Sequence, residues 1–257
     1  MIVAVCGNSG SGKSTLAVKL AHMFADAKKN TVLIDTDFIS PQFNVWYPKK
    51  EMFNHTSLAV LLDNNVDIEQ TADKMHVINE NLGVLGYARD FSANAMPRRP
   101  DTAGQLLSCL NEMSDIIVVD VQTGFINDIL SFEVMSAADV RIIAVTPDIK
   151  GLSWYDSNIR MMEESWKSNE THTIRVFNKT RSNAPLTEIE QIIGEVPYFL
   201  PFSYDIEEQM STGTMSDLTP GLGQKAAQQY IDVLRSLATE VVSLLPDTPQ
   251  EDGENNQ

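Results

Sequence analysis

The residues that could do chemistry begin at position 7, where Gly7-Asn8-Ser9-Gly10-Ser11-Gly12-Lys13-Ser14-Thr15 satisfies the spacing G-x-x-x-x-G-K-[ST]. Glycines at this spacing let successive backbone N–H groups point at one centre and hold phosphate oxygens, aided by the N-terminus of a following helix. Ser9, Gly10, Ser11, Gly12, Lys13, Ser14 and Thr15 thus read as a phosphate cradle. Lys13 would reach the β- and γ-phosphates, and the Ser14 hydroxyl would ligate Mg²⁺. Farther on, Asp35 and Asp37 close an apolar run with one residue between them, which puts both carboxylates on one side of an extended chain. Beside a magnesium triphosphate, one would hold a metal-bound water and the other would orient the attacking water. Asp120 ends another apolar run, 116–119, with Gly124 four positions later. A strand-terminal carboxylate of this kind anchors the magnesium shell, and the glycine N–H can approach the γ-phosphate, with Thr123 assisting.

Two later segments suit the opposite end of a nucleotide. Asn178-Lys179 leaves a late apolar run. An amide offers a donor and an acceptor side by side, which matches the N6/N7 edge of adenine, and a lysine stem can cover a base's apolar face. Leu200-Pro201-Phe202-Ser203-Tyr204-Asp205 runs from a strand end into a short helix, where its backbone and Phe202 would either wall the base pocket or pack internally.

The elements that must position these groups follow from periodicity. Short apolar runs at 2–6, 31–34, 82–85, 116–119, 141–145, 173–177 and 196–200 alternate with helical patterns at 14–27, 105–113, 130–137, 153–166 and 185–193. This alternation predicts one α/β domain, residues 1–245, with a mostly parallel twisted sheet and helices on both faces. Each candidate segment then sits at the C-terminal end of a strand, where open parallel sheets bind ligands. A final helix over 224–245 carries Ala227, Tyr230, Ile231, Leu234, Leu237, Ala238 and Val241 on one face, a stripe that docks on the sheet. Residues 246–257 contain no apolar side chain and read as a disordered acidic tail.

Composition narrows the function. There are 35 Asp and Glu against 19 Lys and Arg, a formal net charge of −16. Such a surface repels nucleic acid and anionic lipid, so no direct nucleic-acid contact is expected. The two cysteines, Cys6 and Cys109, read as buried small hydrophobes rather than a disulfide or metal pair. No stretch approaches the length of an apolar membrane span, and the first apolar run is too short for a secretory segment. The expected compartment is cytoplasmic.

The series of phosphate loop, Asp-x-Asp, Asp-x-x-x-Gly, Asn-Lys and Leu-Pro-x-x-x-Asp resembles the ParA/MinD family of P-loop ATPases, as far as residue 220. The resemblance implies ATP and Mg²⁺ as ligands. It casts Lys13 and Asp37 as catalytic and Ser14, Asp35 and Asp120 as metal-binding. It also implies that Asn178, Lys179, Pro201, Phe202 and Asp205 flank the base. A protein partner and an ATP-linked homodimer are implied too. The family's signature lysine falls at position 8, where this chain has Asn8, and the next glycine is Ser9. The family reading implies slow or partner-stimulated hydrolysis, and the departure at position 8 implies that both the ATP-linked dimer and the stimulation are weakened. Less regular loops occur in relatives of the TadZ/CpaE type, which localise pilus or secretion machinery. A MinD-type membrane helix needs a basic face, and the last helix offers only Lys225 and Arg235. The cluster cysteines of the nitrogenase-iron-protein branch are missing.

Two other functions compete at this stage. A nucleoside-type small-molecule kinase could use the same loop, with Arg98-Arg99 as lid cations over the transferring phosphoryl group. A scaffold that holds ATP without hydrolysing it is the other. Trp46 and Tyr47, in the segment 37–50 after the Asp pair, suit either a partner contact or core packing.

Overall fold

The computed structural model describes residues 1–42, 46–47, 57–63, 66–87, 100–166, 172–219 and 224–245. The acidic tail and Arg98-Arg99 lie outside the described residues.

The first half runs β1 (Ile2–Gly7), α1 (Lys13–Asp26), β2 (Thr31–Asp35), α2 (Ser57–Asp63), α3 (Ile68–Lys74), β3 (His76–Asn79) and β4 (Leu82–Leu85). It continues with α4 (Pro100–Met113), β5 (Ile116–Asp120), α5 (Ile129–Ala137) and β6 (Val140–Val145). The remainder is α6 (Ile149–Asn158), α7 (Arg160–Trp166), β7 (His172–Thr180), α8 (Leu186–Ile193), β8 (Tyr198–Pro201), α9 (Tyr204–Thr212) and α10 (Lys225–Ser243).

The strands form one sheet in the order β3-β4-β2-β5-β1-β6-β7-β8. Every neighbouring pair is parallel except β3–β4, which is antiparallel at the edge. Strands buried on both faces must be apolar throughout, as β1, β5 and β6 are. Alternate side chains divide the core. Val3 and Val5 pack with α1 and α10, while Ile2, Ala4 and Cys6 pack with α4, α5 and α6 on the other face. The α/β class, the parallel sheet and the docking stripe of the last helix are as the sequence predicts.

Several boundaries move. The pattern at 153–166 is two helices that begin at Ile149 and break at Ile159, whose N–H still donates to the Tyr155 carbonyl. The strand placed at 173–177 continues to Thr180, and the one placed at 196–200 is Tyr198–Pro201. Helix α4 starts earlier than its apolar pattern, at Pro100, because a proline is tolerated in the first helical turn. Helices α2 and α3 and strand β3 are missed altogether, being too short for a periodic signal. Cys6 is buried as expected, but Cys109 is only half-buried.

Candidate nucleotide site

The loop between β1 and α1 is shaped by what its glycines avoid. A Cβ on Gly7 would lie 2.2 Å from the Ala144 carbonyl oxygen of β6. Gly12 has φ 82°, and a Cβ there would meet the Asn178 amide at 2.7 Å. Gly12 also begins α1, and no side chain caps that helix. By contrast, Asp128 caps α5 and Asp148 caps α6, each accepting a backbone N–H at 2.8 Å. The first N–H groups of α1 are therefore left for a ligand, at the positive end of the helix dipole.

Asn8 does not face outward. It is buried, its Oδ1 accepts from the Thr146 N–H at 3.0 Å, and its Nδ2 donates to the Thr146 hydroxyl at 3.0 Å. The residue at the resemblance's lysine position thus braces the loop to the end of β6.

Behind the loop, Lys13 Nζ stands 3.5 Å from Asp120 Oδ1. Asp120 is fully buried, and neither of its oxygens has a hydrogen-bond partner. Burial pushes its carboxyl above the usual range, against the pull of Lys13 and Ser14. For Lys13, burial acts to lower the pKa, but Asp120, Asp35 and Asp37 outweigh it and hold the amine protonated. A buried, unbonded carboxylate beside a hydroxyl and an anion-binding loop fits a divalent cation. Among the described residues no cluster of three or more His, Cys, Asp or Glu could hold a metal by itself. Magnesium that keeps its waters and arrives on phosphates asks for no more than Ser14 and Asp120.

The two other carboxylates divide their labour. Asp35 is fully buried, and its oxygens accept from the Asp37 N–H at 2.9 Å and the Gln42 N–H at 2.8 Å. Burial and the nearby Asp120 push its carboxyl up to about 8. Its structural place is thus as the anchor of the loop that carries Asp37. Asp37 lines the cavity, with Oδ1 accepting from the Ile39 and Ser40 N–H groups.

A cavity of about 380 Å³ opens beside Lys13, Ser14 and Asp37, and the metal candidates Asp35 and Asp120 are not among its lining residues. Its phosphate end is lined by Ser9, Gly10, Gly12, Lys13, Ser14 and Thr15, with Asp37 and Thr123 at the side. Asn178, Lys179, Pro201 and Phe202 line the far end. Asn178 is already engaged there: Nδ2 donates to the Ser11 carbonyl at 2.7 Å, and Oδ1 accepts from the Lys179 N–H at 2.8 Å. Lys179 has φ 57°, at a register shift between β7 and β8, and its amine reaches Glu207 at 3.4 Å. The Arg181 guanidinium lies 4.0 Å from the Phe202 ring centroid.

Not every candidate reaches the cavity. Asp205 does not line it, because its carboxylate turns back to the Ser203 hydroxyl at 3.3 Å in the first turn of α9. The Ser11 side chain is buried under the loop, beside the position a Gly7 Cβ would take. Trp46 and Tyr47 belong to the core, where the Tyr47 hydroxyl and His22 Nε2 of α1 are 2.9 Å apart. The structure adds lining residues that the sequence reading did not select, among them Gln42, Ile206, Glu207, Met210 and Tyr230. Only Tyr230 carried a signal, and its helical spacing assigned it to the docking stripe.

Residues 2–246 match the family model described as the CobQ/CobB/MinD/ParA nucleotide binding domain. The chain belongs to this family. Among curated members, the septum site-determining protein MinD of Synechocystis sp. is 28% identical over 170 residues, 63% of this chain and 59% of that protein. The aligned stretch thus covers less than two thirds of the relative. Among solved structures, MinD complexed with Mg-ADP from Pyrococcus horikoshii superposes with a TM-score of 0.72 at 17% identity, covering 96% of this chain and 98% of that one. MinD in the MinC:MinD complex of Aquifex aeolicus gives 0.67 at 20% identity, over 93% and 95% of the two chains. These likenesses show a MinD-like P-loop fold for this family member. No helix among its described residues is long and apolar enough to cross a membrane.

Proposed function

We propose that the chain is a slow or partner-stimulated ATPase whose nucleotide state governs the pairing of two copies and the placement of a protein partner. One observation carries this reading: Asp120, a buried carboxylate with no hydrogen bond, sits beside Lys13 under a phosphate-binding loop. Magnesium bound with the triphosphate would neutralise charge on the transferring phosphoryl group. The loop N–H groups and the uncapped end of α1 hold the phosphates, and Lys13 sets a cation against them. Ser14 and Asp120 would hold the metal. Asp37 accepts a hydrogen bond from the attacking water and fixes its line of approach, while Asp35 keeps the Asp37 loop in place.

Pairing is supported by exposed apolar side chains at the cavity end of the sheet: Ile39 after β2, Ile126 and Ile129 after β5, and Ile149 after β6. The relative solved with MinC supports a protein partner. Asn8 brings no cation toward a second copy, so pairing is weaker than a lysine there would give. Sizing by light scattering with Mg-ATP and with Mg-ADP tests this part, with a larger species expected only in ATP. For the chemistry, Asp37→Ala should keep ATP bound and stop its turnover. Wild-type turnover in that variant would remove Asp37 from the mechanism.

A further inference from the structure

One side chain that neither the motifs nor the family assign sits between the two acidic segments. Thr36 is fully buried between Asp35 and Asp37. Its hydroxyl donates to the Asp120 carbonyl at 3.0 Å and accepts from the Gln122 N–H at 2.9 Å and from the Ser131 hydroxyl at 2.8 Å. Its own N–H donates to the same Asp120 carbonyl at 3.2 Å. A hydroxyl has one proton and two lone pairs, so every bond it can make is used. These bonds tie the end of β2, which carries Thr36, to two other places: the end of β5 and the first turn of α5. On one side this hub adjoins Asp37, which lines the cavity. On another, Gln122 precedes Thr123, which also lines it. On the third, Ser131 lies in the turn of α5 that carries exposed Ile129 and Phe132.

We propose that Thr36 is a positioning residue for hydrolysis, joining the Asp37 loop, the segment after Asp120 and the start of α5 into one body. This rests on the ATPase reading above. The hydroxyl touches no ligand. It sets where Asp37 stands relative to Thr123 across the phosphate end, and it carries any displacement of either to the apolar surface of α5. Sequence separation makes the point sharper, since Thr36 and Ser131 are 95 positions apart.

Thr36→Val keeps the side chain's shape and removes all three hydroxyl bonds, and Thr36→Ser restores them. Labelled ADP should bind the valine variant within about twofold of wild type, since Lys13 and the loop are untouched. ATP turnover should fall roughly tenfold or more with KM little changed, as small misplacements of positioning groups do. The serine variant should recover it. Hydrogen exchange without nucleotide provides a second readout: residues 35–42 and 120–131 should lose protection together in the valine variant. Should that variant fail to fold, Ser131→Ala removes a single bond and should shift turnover and exchange in the same direction by less. Unchanged turnover in a valine variant that binds normally would overturn the proposal, as would loss of protection in one segment alone. A wild-type protein that binds no nucleotide would instead sink the ATPase reading, leaving the exchange experiment to judge the coupling.

Discussion

At the phosphate end of the cavity, and buried behind it, polar groups stand ready, whereas at the base end they are already spent. The first N–H groups of α1 have no cap, and both Asp120 oxygens are buried without a hydrogen bond. Asn178, by contrast, gives its amide to the Ser11 carbonyl and takes the Lys179 N–H, while Lys179 meets Glu207. Unpaired buried groups cost the empty protein stability, and a ligand that pairs them recovers it. Groups that are satisfied before binding yield little when a ligand arrives. Affinity should therefore be concentrated in the phosphates and magnesium, with the base contributing orientation and modest discrimination.

The sharpest way to break this contrast is Lys13→Ala. It leaves Asp120 with no counter-charge and should weaken Mg-ATP binding by roughly a hundredfold or more in calorimetry. Binding within a few-fold of wild type would mean the phosphate end is not dominant. Asp120→Asn comes next. It removes a buried charge that burial disfavours, so the thermal midpoint without ligand should hold or rise, while magnesium should cease to strengthen nucleotide binding. A magnesium dependence like that of wild type would place the metal elsewhere. At the other end, Asn178→Ala should cost about tenfold in ATP affinity, the scale of one or two hydrogen bonds. Its ratio of ATP to GTP affinity should move toward unity; an unmoved ratio would take Asn178 out of base recognition.

The smallest effect concerns His22, which joins Tyr47 to α1. Burial lowers its pKa from 6.5 to about 4, with Asp26 opposing the shift and Lys19 adding to it. Between these values the unfolded chain binds the proton more readily than the folded one. The stability contributed by the neutral ring is complete above pH 6.5 and is lost as pH falls toward 4. Thermal midpoints measured over that range should decline less steeply in His22→Gln than in wild type. Parallel slopes would show that other groups govern acid sensitivity.

The loop at 9–15 was legible in the sequence because its backbone shape is set locally. Seven contiguous residues, flanked by a strand and a helix, specify it. Asp37, Asp120, Asn178 and Phe202 could be brought to one edge from the sequence because parallel strands deliver their C-terminal ends there. The errors fall where tertiary contact decides. Asp205 shares a helix turn with the true lining, and only the roll of α9 sends Ile206 inward and turns Asp205 toward Ser203. Tyr230 was legible as a core residue but not as part of the cavity wall. Thr36 was invisible because its partners are remote in sequence and a threonine between two aspartates carries no pattern of its own. Trp46 and Tyr47 were ambiguous for the same reason: an aromatic pair after a loop can face either way until α1 is in place.

The inward turn of Asn8 constrains what a change at that position can achieve. Its amide fills a slot cut for it by the main chain and hydroxyl of Thr146, so the two positions form a matched pair. A longer cationic side chain at position 8 cannot inherit those contacts; it must swing out and leave the Thr146 N–H without its acceptor, while the Thr146 hydroxyl keeps Asp148. Placing a lysine at position 8 of this chain is accordingly a two-residue undertaking, with position 146 as its second half.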